Sequence, residues 1–256
     1  MGKIISVSSQ KGGVGKTTTV LNLGFSLSRL GHKVLVVEGD PEGALTITGD
    51  LKKYTQQGMI QLLRKQATFD QVVVLTGNKN MSMVGSGARD PSDALYLDRC
   101  ARNGRLGRMI RRLEEYFDYI LIDAPTGINN ISVMSLANSH GVIIPVNCKA
   151  LTVQTLPPFL TLIQRVREKM NADLQIEGLL ITMVDNRSPK EIETYETIRD
   201  SFPLPVLFKN YIPFDECFEE ATTEGLPVAL VSNGEQAFHS FMDLAEELKN
   251  RELDYT

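Results

Sequence analysis

The chain has no tryptophan, only three histidines and only three cysteines among its 256 residues. Cys100, Cys148 and Cys217 lie far apart and form no C-x-x-C pair. That argues against a disulfide framework or a cysteine-based zinc site and fits a reducing, cytoplasmic setting. No apolar stretch approaches the about 20 residues that a membrane helix requires. Positive charge is not in excess either: 27 Lys and Arg stand against 31 Asp and Glu, a formal net charge of −4. The molecule is therefore no polycation, and any contact with nucleic acid must come from a local patch. Internal repeats, low-complexity tracts and long linkers are also missing. What is present is a globular composition, 42% hydrophobic and 23% charged, sufficient for a sizeable core.

The informative stretch comes early. Gln10-Lys11-Gly12-Gly13-Val14-Gly15-Lys16-Thr17-Thr18 follows an apolar run, Ile4, Ile5 and Val7, suited to a buried strand. After it, Val20, Leu23, Leu27 and Leu30 recur at helical spacing, and Gly31 supplies a stop. A strand, a glycine loop and a helix N-terminus form an anion site, because unpaired N–H groups and the helix dipole both face the ligand. Polyphosphate loops read G-x-x-x-x-G-K-[ST], with the lysine on the terminal phosphates and the hydroxyl on Mg²⁺. Gly15, Lys16 and Thr17 fill the last three places, but Gln10 occupies the first, and Lys11 adds a second lysine.

Apolar runs alternate with helical patterns along the chain, which reads as successive βαβ units. The fold class expected is α/β, a single-domain, doubly wound, mainly parallel sheet with helices on both faces, spanning 1–256. Strands are expected at Lys3–Ser8, Val34–Glu38, Met81–Val84, Tyr119–Ile122, Val142–Val146, Gly178–Val184 and Val206–Phe208. Helices are expected at Lys16–Leu30, Gln57–Lys65, Gly104–Tyr116, Ile131–Asn138, Leu156–Met170, Pro189–Ser201, Cys217–Glu224 and Glu235–Arg251. Between Gly43 and Asp98 the pattern is least regular, and Asp90-Pro91-Ser92-Asp93 reads as loop.

Two further segments complete the chemistry. Strand Val34–Glu38 leads into Glu38-Gly39-Asp40-Pro41-Glu42-Gly43, and the apolar run Tyr119-Ile120-Leu121-Ile122 ends on Asp123. An apolar strand ending in aspartate, about a hundred residues after a phosphate loop, is the pattern that reaches a Mg²⁺ hydration shell.

The K-G-G-V-G-K-T loop resembles the deviant phosphate loop of the ParA/MinD ATPases, closest to partition ATPases of the ParA/Soj type. The resemblance runs over about residues 3–250, through Thr182-Met183-Val184-Asp185-Asn186-Arg187, Tyr211-Ile212-Pro213 and Glu220-Ala221 to Gly225-Leu226-Pro227-Val228. It implies a P-loop NTPase fold and an ATPase using ATP and Mg²⁺. Lys11, Gly12, Gly13, Val14, Gly15, Lys16, Thr17 and Thr18 would bind nucleotide, with the adenine between Asp185 and Pro213. Thr17, Asp40 and Asp123 would serve the metal, and Asp40 would orient the attacking water. Lys11 would reach across a nucleotide-sandwiched homodimer to the partner's ATP, so that Lys11, Lys16 and Asp40 form the catalytic set. Family members usually carry an aspartate where Glu38 stands.

The same resemblance implies slow turnover accelerated by a ParB-like or other adaptor, and ATP-dependent binding of nonspecific DNA at the nucleoid. The cargo would be a plasmid, a chromosome region or another large body. Arg187, Lys190 and Lys209 are the candidate DNA contacts, although Phe214, Asp215 and Glu216 stand where a second basic place would be. Arg99, Arg102, Arg105, Arg108, Arg111 and Arg112 form a further basic set. It reads either as the solvated side of an amphipathic helix or as a patch for nucleic acid or an acidic partner. A membrane-switching ATPase of the MinD or flagellar-placement kind is the rival. It requires a basic amphipathic C-terminal helix, whereas Asp243, Glu246 and Glu247 make this one acidic, so it is expected to pack on the sheet.

Overall fold

The computed structural model describes residues 2–41, 43, 57–76, 78–202 and 206–253. Seven strands form one sheet: β1 (Lys3–Val7), β2 (Val34–Glu38), β3 (Val73–Leu75), β4 (Met81–Val84), β5 (Tyr119–Asp123), β6 (Gly141–Asn147) and β7 (Gln175–Thr182). Their spatial order is β3-β4-β2-β5-β1-β6-β7, with β3 antiparallel to β4 and every other pairing parallel. The inner strands are buried on both faces, which is why they read as continuous β-branched runs rather than alternating ones.

The helices are α1 (Lys16–Arg29), α2 (Met59–Leu63), α3 (Phe69–Val72), α4 (Pro91–Arg102), α5 (Arg105–Arg111), α6 (Asn130–Ala137), α7 (Ala150–Lys169), α8 (Pro189–Ser201), α9 (Cys217–Glu224) and α10 (Glu235–Leu253). Alternate strand residues divide them between the faces. Ile5, Val7, Val36 and Leu121 pack under α1 and α10, whereas Ile4, Leu35, Val37 and Ile120 pack under α2 to α6. Phe241, Leu244, Ala245 and Leu248 of α10 are all buried in the first of these cores, so this helix spends its apolar stripe on the protein itself. Residues 254–256 of the acidic tail lie outside the described residues.

The outer edge of β7 is covered by the segment 206–213. Leu179 N–H donates to Val206 O, Phe208 N–H to Leu179 O, and Ile212 N–H to Ile181 O. Arg251 fastens this edge from α10: its guanidinium donates to Glu177 O, Leu207 O and Glu247 Oε1 and lies 4.3 Å from the Phe208 ring centroid. The expected strand Val206–Phe208 is thus reduced to a single bridge, Leu207 to Leu179.

Four departures from the sequence reading have local causes. Asp90-Pro91-Ser92-Asp93 is no loop but the start of α4. The Asp90 carboxylate accepts the Ser92 and Asp93 amides at 2.7 and 3.2 Å, and Pro91 takes the first helical position, where no donor is needed. The expected helix Gly104–Tyr116 ends as a helix at Arg111, and turns carry the chain on to Tyr116. Helix α7 begins at Ala150, upstream of the expected Leu156, and holds Pro157 and Pro158 inside it. Strand β3, pairing only with β4 among the described residues, is too short for its period to show.

Candidate functional site

The register of the central strands aligns the chemistry. Val7 and Glu38 both pair with Asp123, so the ends of β1, β2 and β5 emerge together at one edge of the sheet. Crevices outside the carboxyl ends of parallel strands are where such sheets bind ligands. Gly13 and Gly15 adopt left-handed φ of 69° and 82° between β1 and α1, a conformation costly for other residues. Helix α1 carries no side-chain cap and no acidic residue in its first turn, leaving its leading amides for an anion.

Lys16, at the first position of α1, is buried, and its ammonium donates to Thr126 Oγ1 at 2.9 Å. Burial lowers its pKa, against the attraction of Asp123 and Asp40. Thr17 Oγ1 donates to Asp123 Oδ2 at 2.7 Å. Asp123 is 1% exposed, and its Oδ1 has no hydrogen-bond partner among the described residues. Burial raises the Asp123 pKa to about 7, although the Thr17 hydrogen bond and Lys16 pull it down; Glu38 and Asp40 add to the rise. A cation and an anion are therefore both desolvated side by side without satisfying one another. A divalent ion with a polyphosphate supplies what each lacks, so the Thr17, Asp123 and Asp40 oxygens fit Mg²⁺.

Asp40 is brought there by a close approach. Gly39 N–H donates to Asp123 O at 2.9 Å, and a Cβ on Gly39 would fall 2.8 Å from that same oxygen. Asp40 is half-buried and lines a cleft of about 880 Å³ with Pro125, Thr126, Asn129 and the start of α4. Glu38 faces elsewhere. It is 1% exposed, its Oε2 accepts the Ser86 amide at 3.2 Å, and a Cβ on Gly43 would stand 2.7 Å from its Oε1. The glutamate thus braces the turn after β2 against the segment after β4.

Lys11 is half-buried on the opposite rim, where Ser9 Oγ donates to its carbonyl at 2.8 Å. It lines a small crevice with Thr152 and Thr155 of α7, and its ammonium has no ion pair among the described residues. Gly12 lies opposite Thr126, whose Oγ1 is 3.6 Å from where its Cβ would be. The Val14 carbonyl accepts Thr182 Oγ1 at 3.0 Å, tying the loop to β7.

A second, mostly apolar slot of about 210 Å³ lies behind the loop, lined by Gly15, Thr18, Met183, Pro213, Phe214 and their neighbours. Thr18 of the loop and Pro213 thus line one slot. Asp185 does not line this slot. Its carboxylate is taken up by Arg187, at 2.8 Å to Nε and 3.2 Å to Nη2, which holds its pKa below the usual carboxylate range. Lys190 is exposed at the start of α8, and the Lys209 amide donates to Glu247. Sequence reasoning missed Thr126 and Met183. Met183 has a left-handed φ of 57°, and its Cε would stand 3.5 Å from a Cβ on Gly15. A strained non-glycine residue of this kind marks a place the surrounding structure over-determines.

Comparison with known proteins agrees with this geometry. A family model described as an AAA domain matches residues 2–176. The sporulation initiation inhibitor protein Soj of Bacillus subtilis is 33% identical over 250 residues, covering 97% of this chain and 98% of Soj. The chromosome partitioning protein ParA of Myxococcus xanthus is 29% identical, covering 98% of this chain and 89% of its own. Among solved structures, the septum site-determining protein MinD of Pyrococcus horikoshii, complexed with Mg-ADP, superposes with a TM-score of 0.75. It is 29% identical and covers 97% of this chain and 96% of that one.

Proposed function

This chain belongs to the ParA/MinD family of P-loop ATPases, and we propose that it is a Mg²⁺-dependent ATPase that pairs with a second copy on binding ATP. In the ATP state it holds nonspecific DNA and positions a plasmid, chromosome region or other large cargo. An adaptor of the ParB kind accelerates an otherwise slow turnover. The single observation that carries this reading is Lys11, a half-buried cation with no ion pair among the described residues, at a site that Lys16 already serves. A second lysine beside an empty site adds only repulsion within one subunit. Placed against another subunit's triphosphate, it supplies charge in trans, as an arginine finger does.

Within a subunit the roles divide by position. Lys16 leaves Thr126 Oγ1 for the terminal phosphates, and the leading amides of α1 hold the bridging ones. Bound Mg²⁺, held by Thr17, Asp123 and Asp40, would neutralise charge building on the β–γ bridge. Asp40, half-buried in the cleft beyond the loop, orients the attacking water and accepts its proton. The Met183–Pro213 slot receives the base.

The test is dimerisation followed by light scattering or sedimentation in Mg-ATP with hydrolysis blocked. Lys11→Ala should retain monomer ATP binding and lose the dimer. A dimer of unchanged affinity in that variant would remove the trans role. The membrane-switch rival finds no support in α10, whose stripe Phe241, Leu244, Ala245 and Leu248 is buried on the sheet, and no helix among the described residues is long and apolar enough to cross a membrane.

A further inference from the structure

Residues 99–113 carry Arg99, Arg102, Arg105, Arg108, Arg111 and Arg112 and no acidic residue, in a chain of net charge −4. All six are exposed. They do not form one stripe, because the chain turns a corner at Asn103-Gly104, where Gly104 has a left-handed φ of 74°. The corner concentrates them instead. Arg99 and Arg102 end α4, and Arg108 of α5 folds back over the turn. Its Nη2 lies 3.5 Å from Asn103 O, and its Nη1 would be 2.8 Å from a Cβ on Gly104. Arg105 is committed to Leu63 O, and Arg111 Nη1 stands 3.7 Å from Glu114 Oε1. Arg99, Arg102, Arg108 and Arg112 have no ion pair among the described residues. Of the flanking acids, Asp98 accepts from Asn130 at 2.8 Å, Glu114 is buried beside Arg111, and Glu115 is exposed.

The chemistry of the corner selects a partner. Every cation is an arginine, whose planar fork matches phosphate oxygens in pairs. The apolar residues below, Leu97, Cys100, Leu106 and Ile110, are fully buried, so the turn itself presents charge, while the exposed Leu95 and Tyr116 flank it. By contrast, the expected DNA contact Arg187 has part of its charge engaged by Asp185 and lies 5.9 Å from the Phe214 ring centroid, with Asp215 and Glu216 following. Helix α4 also joins the two regions: its first turns line the cleft with Asp40 and Thr126, and its last turn carries Arg99 and Arg102.

We propose that the α4–α5 corner, through Arg99, Arg102, Arg108 and Arg112, is the surface that grips the phosphate backbone of duplex DNA. This rests on the DNA-binding reading above. The test measures fluorescence anisotropy of a short nonspecific duplex with the full chain in Mg-ATP across a salt series, with dimerisation followed in parallel. R99Q/R102Q/R108Q should weaken binding at least about 10-fold and reduce the salt slope by about 0.9 for each phosphate that an arginine no longer neutralises, with dimers intact. R187Q/K190Q should change binding less than about threefold. If R187Q/K190Q abolishes binding and the triple variant keeps it, the corner is the wrong surface while DNA binding stands. If the wild type ignores DNA at low salt, the DNA reading itself falls, and this surface with it. Vesicles containing phosphatidylglycerol form a second arm: binding to them, abolished in the triple variant while DNA binding persists, would overturn the assignment in favour of lipid. Should the triple variant fail to dimerise, R102Q and R112Q singly decide, each expected to lower the salt slope by about 0.9; unchanged slopes in both would refute the corner.

Discussion

At the scale of the residue, the site is built from groups held short of full solvation. Lys16 parks on Thr126, Thr17 on Asp123, and Asp123 keeps one buried oxygen without a partner among the described residues. Removing the lysine leaves an anion site without its cation, so Lys16→Ala should abolish ATP binding in an equilibrium titration, or turnover if binding survives. Asp40→Ala should keep nucleotide binding while lowering turnover about 10²-fold or more, as measured by phosphate release. Equal turnover in both proteins would leave Asp40 idle. Most of this was readable in the sequence, because a glycine loop and a strand-ending aspartate are local patterns. Thr126 and Met183 were not, since each meets the loop from a different strand end. The Asp185–Arg187 pair was within reach: two opposite charges two residues apart at a strand end can close a turn on themselves, which competes with any ligand.

At the scale of the element, close approaches and end signals decide what can be changed. A methyl on Gly39 would collide with the end of β5, so Gly39→Ala should destabilise by about 1–3 kcal/mol in chemical denaturation. Asp90→Ala removes the cap of α4 and should cost about 1 kcal/mol. That helix escaped the sequence reading because aspartate and proline mark turns as readily as helix starts; only the amides that Asp90 captures distinguish the two. Beside the β1–β6 ladder, His140 just before β6 adds a side-chain tie: its Nδ1 accepts the Ile4 amide at 2.9 Å. An imidazolium has no such acceptor, and burial holds the His140 pKa below 6.5, with Glu114 and Glu177 pulling it up and Arg111 and Lys3 pushing it down. The unfolded chain therefore binds the proton first as pH falls. Stability from this contact is complete above about pH 6.5 and is lost as pH drops toward the folded pKa. His140→Gln should flatten that acid limb in denaturant titrations; an unaltered limb would place its origin elsewhere.

At the scale of the molecule, the parallel sheet with helices on both faces followed from the alternation of apolar runs, and the strand order then carried three separate segments to one edge. Short elements lay beyond reach: β3 and α3 are too brief for any period to declare itself. The long edge of the sheet is also closed off, because the segment 206–213 occupies the backbone of β7 and Arg251 rivets it there. At the other margin β3 offers three residues, too few to template a neighbour. Among the described residues no long sheet edge is left for strand-to-strand growth, and the pairing proposed above runs over the nucleotide instead. Assembly of this molecule should stop at two and yield no cables or filaments under the electron microscope, so that any gradient it forms in a cell is written by the lifetime of a bound triphosphate.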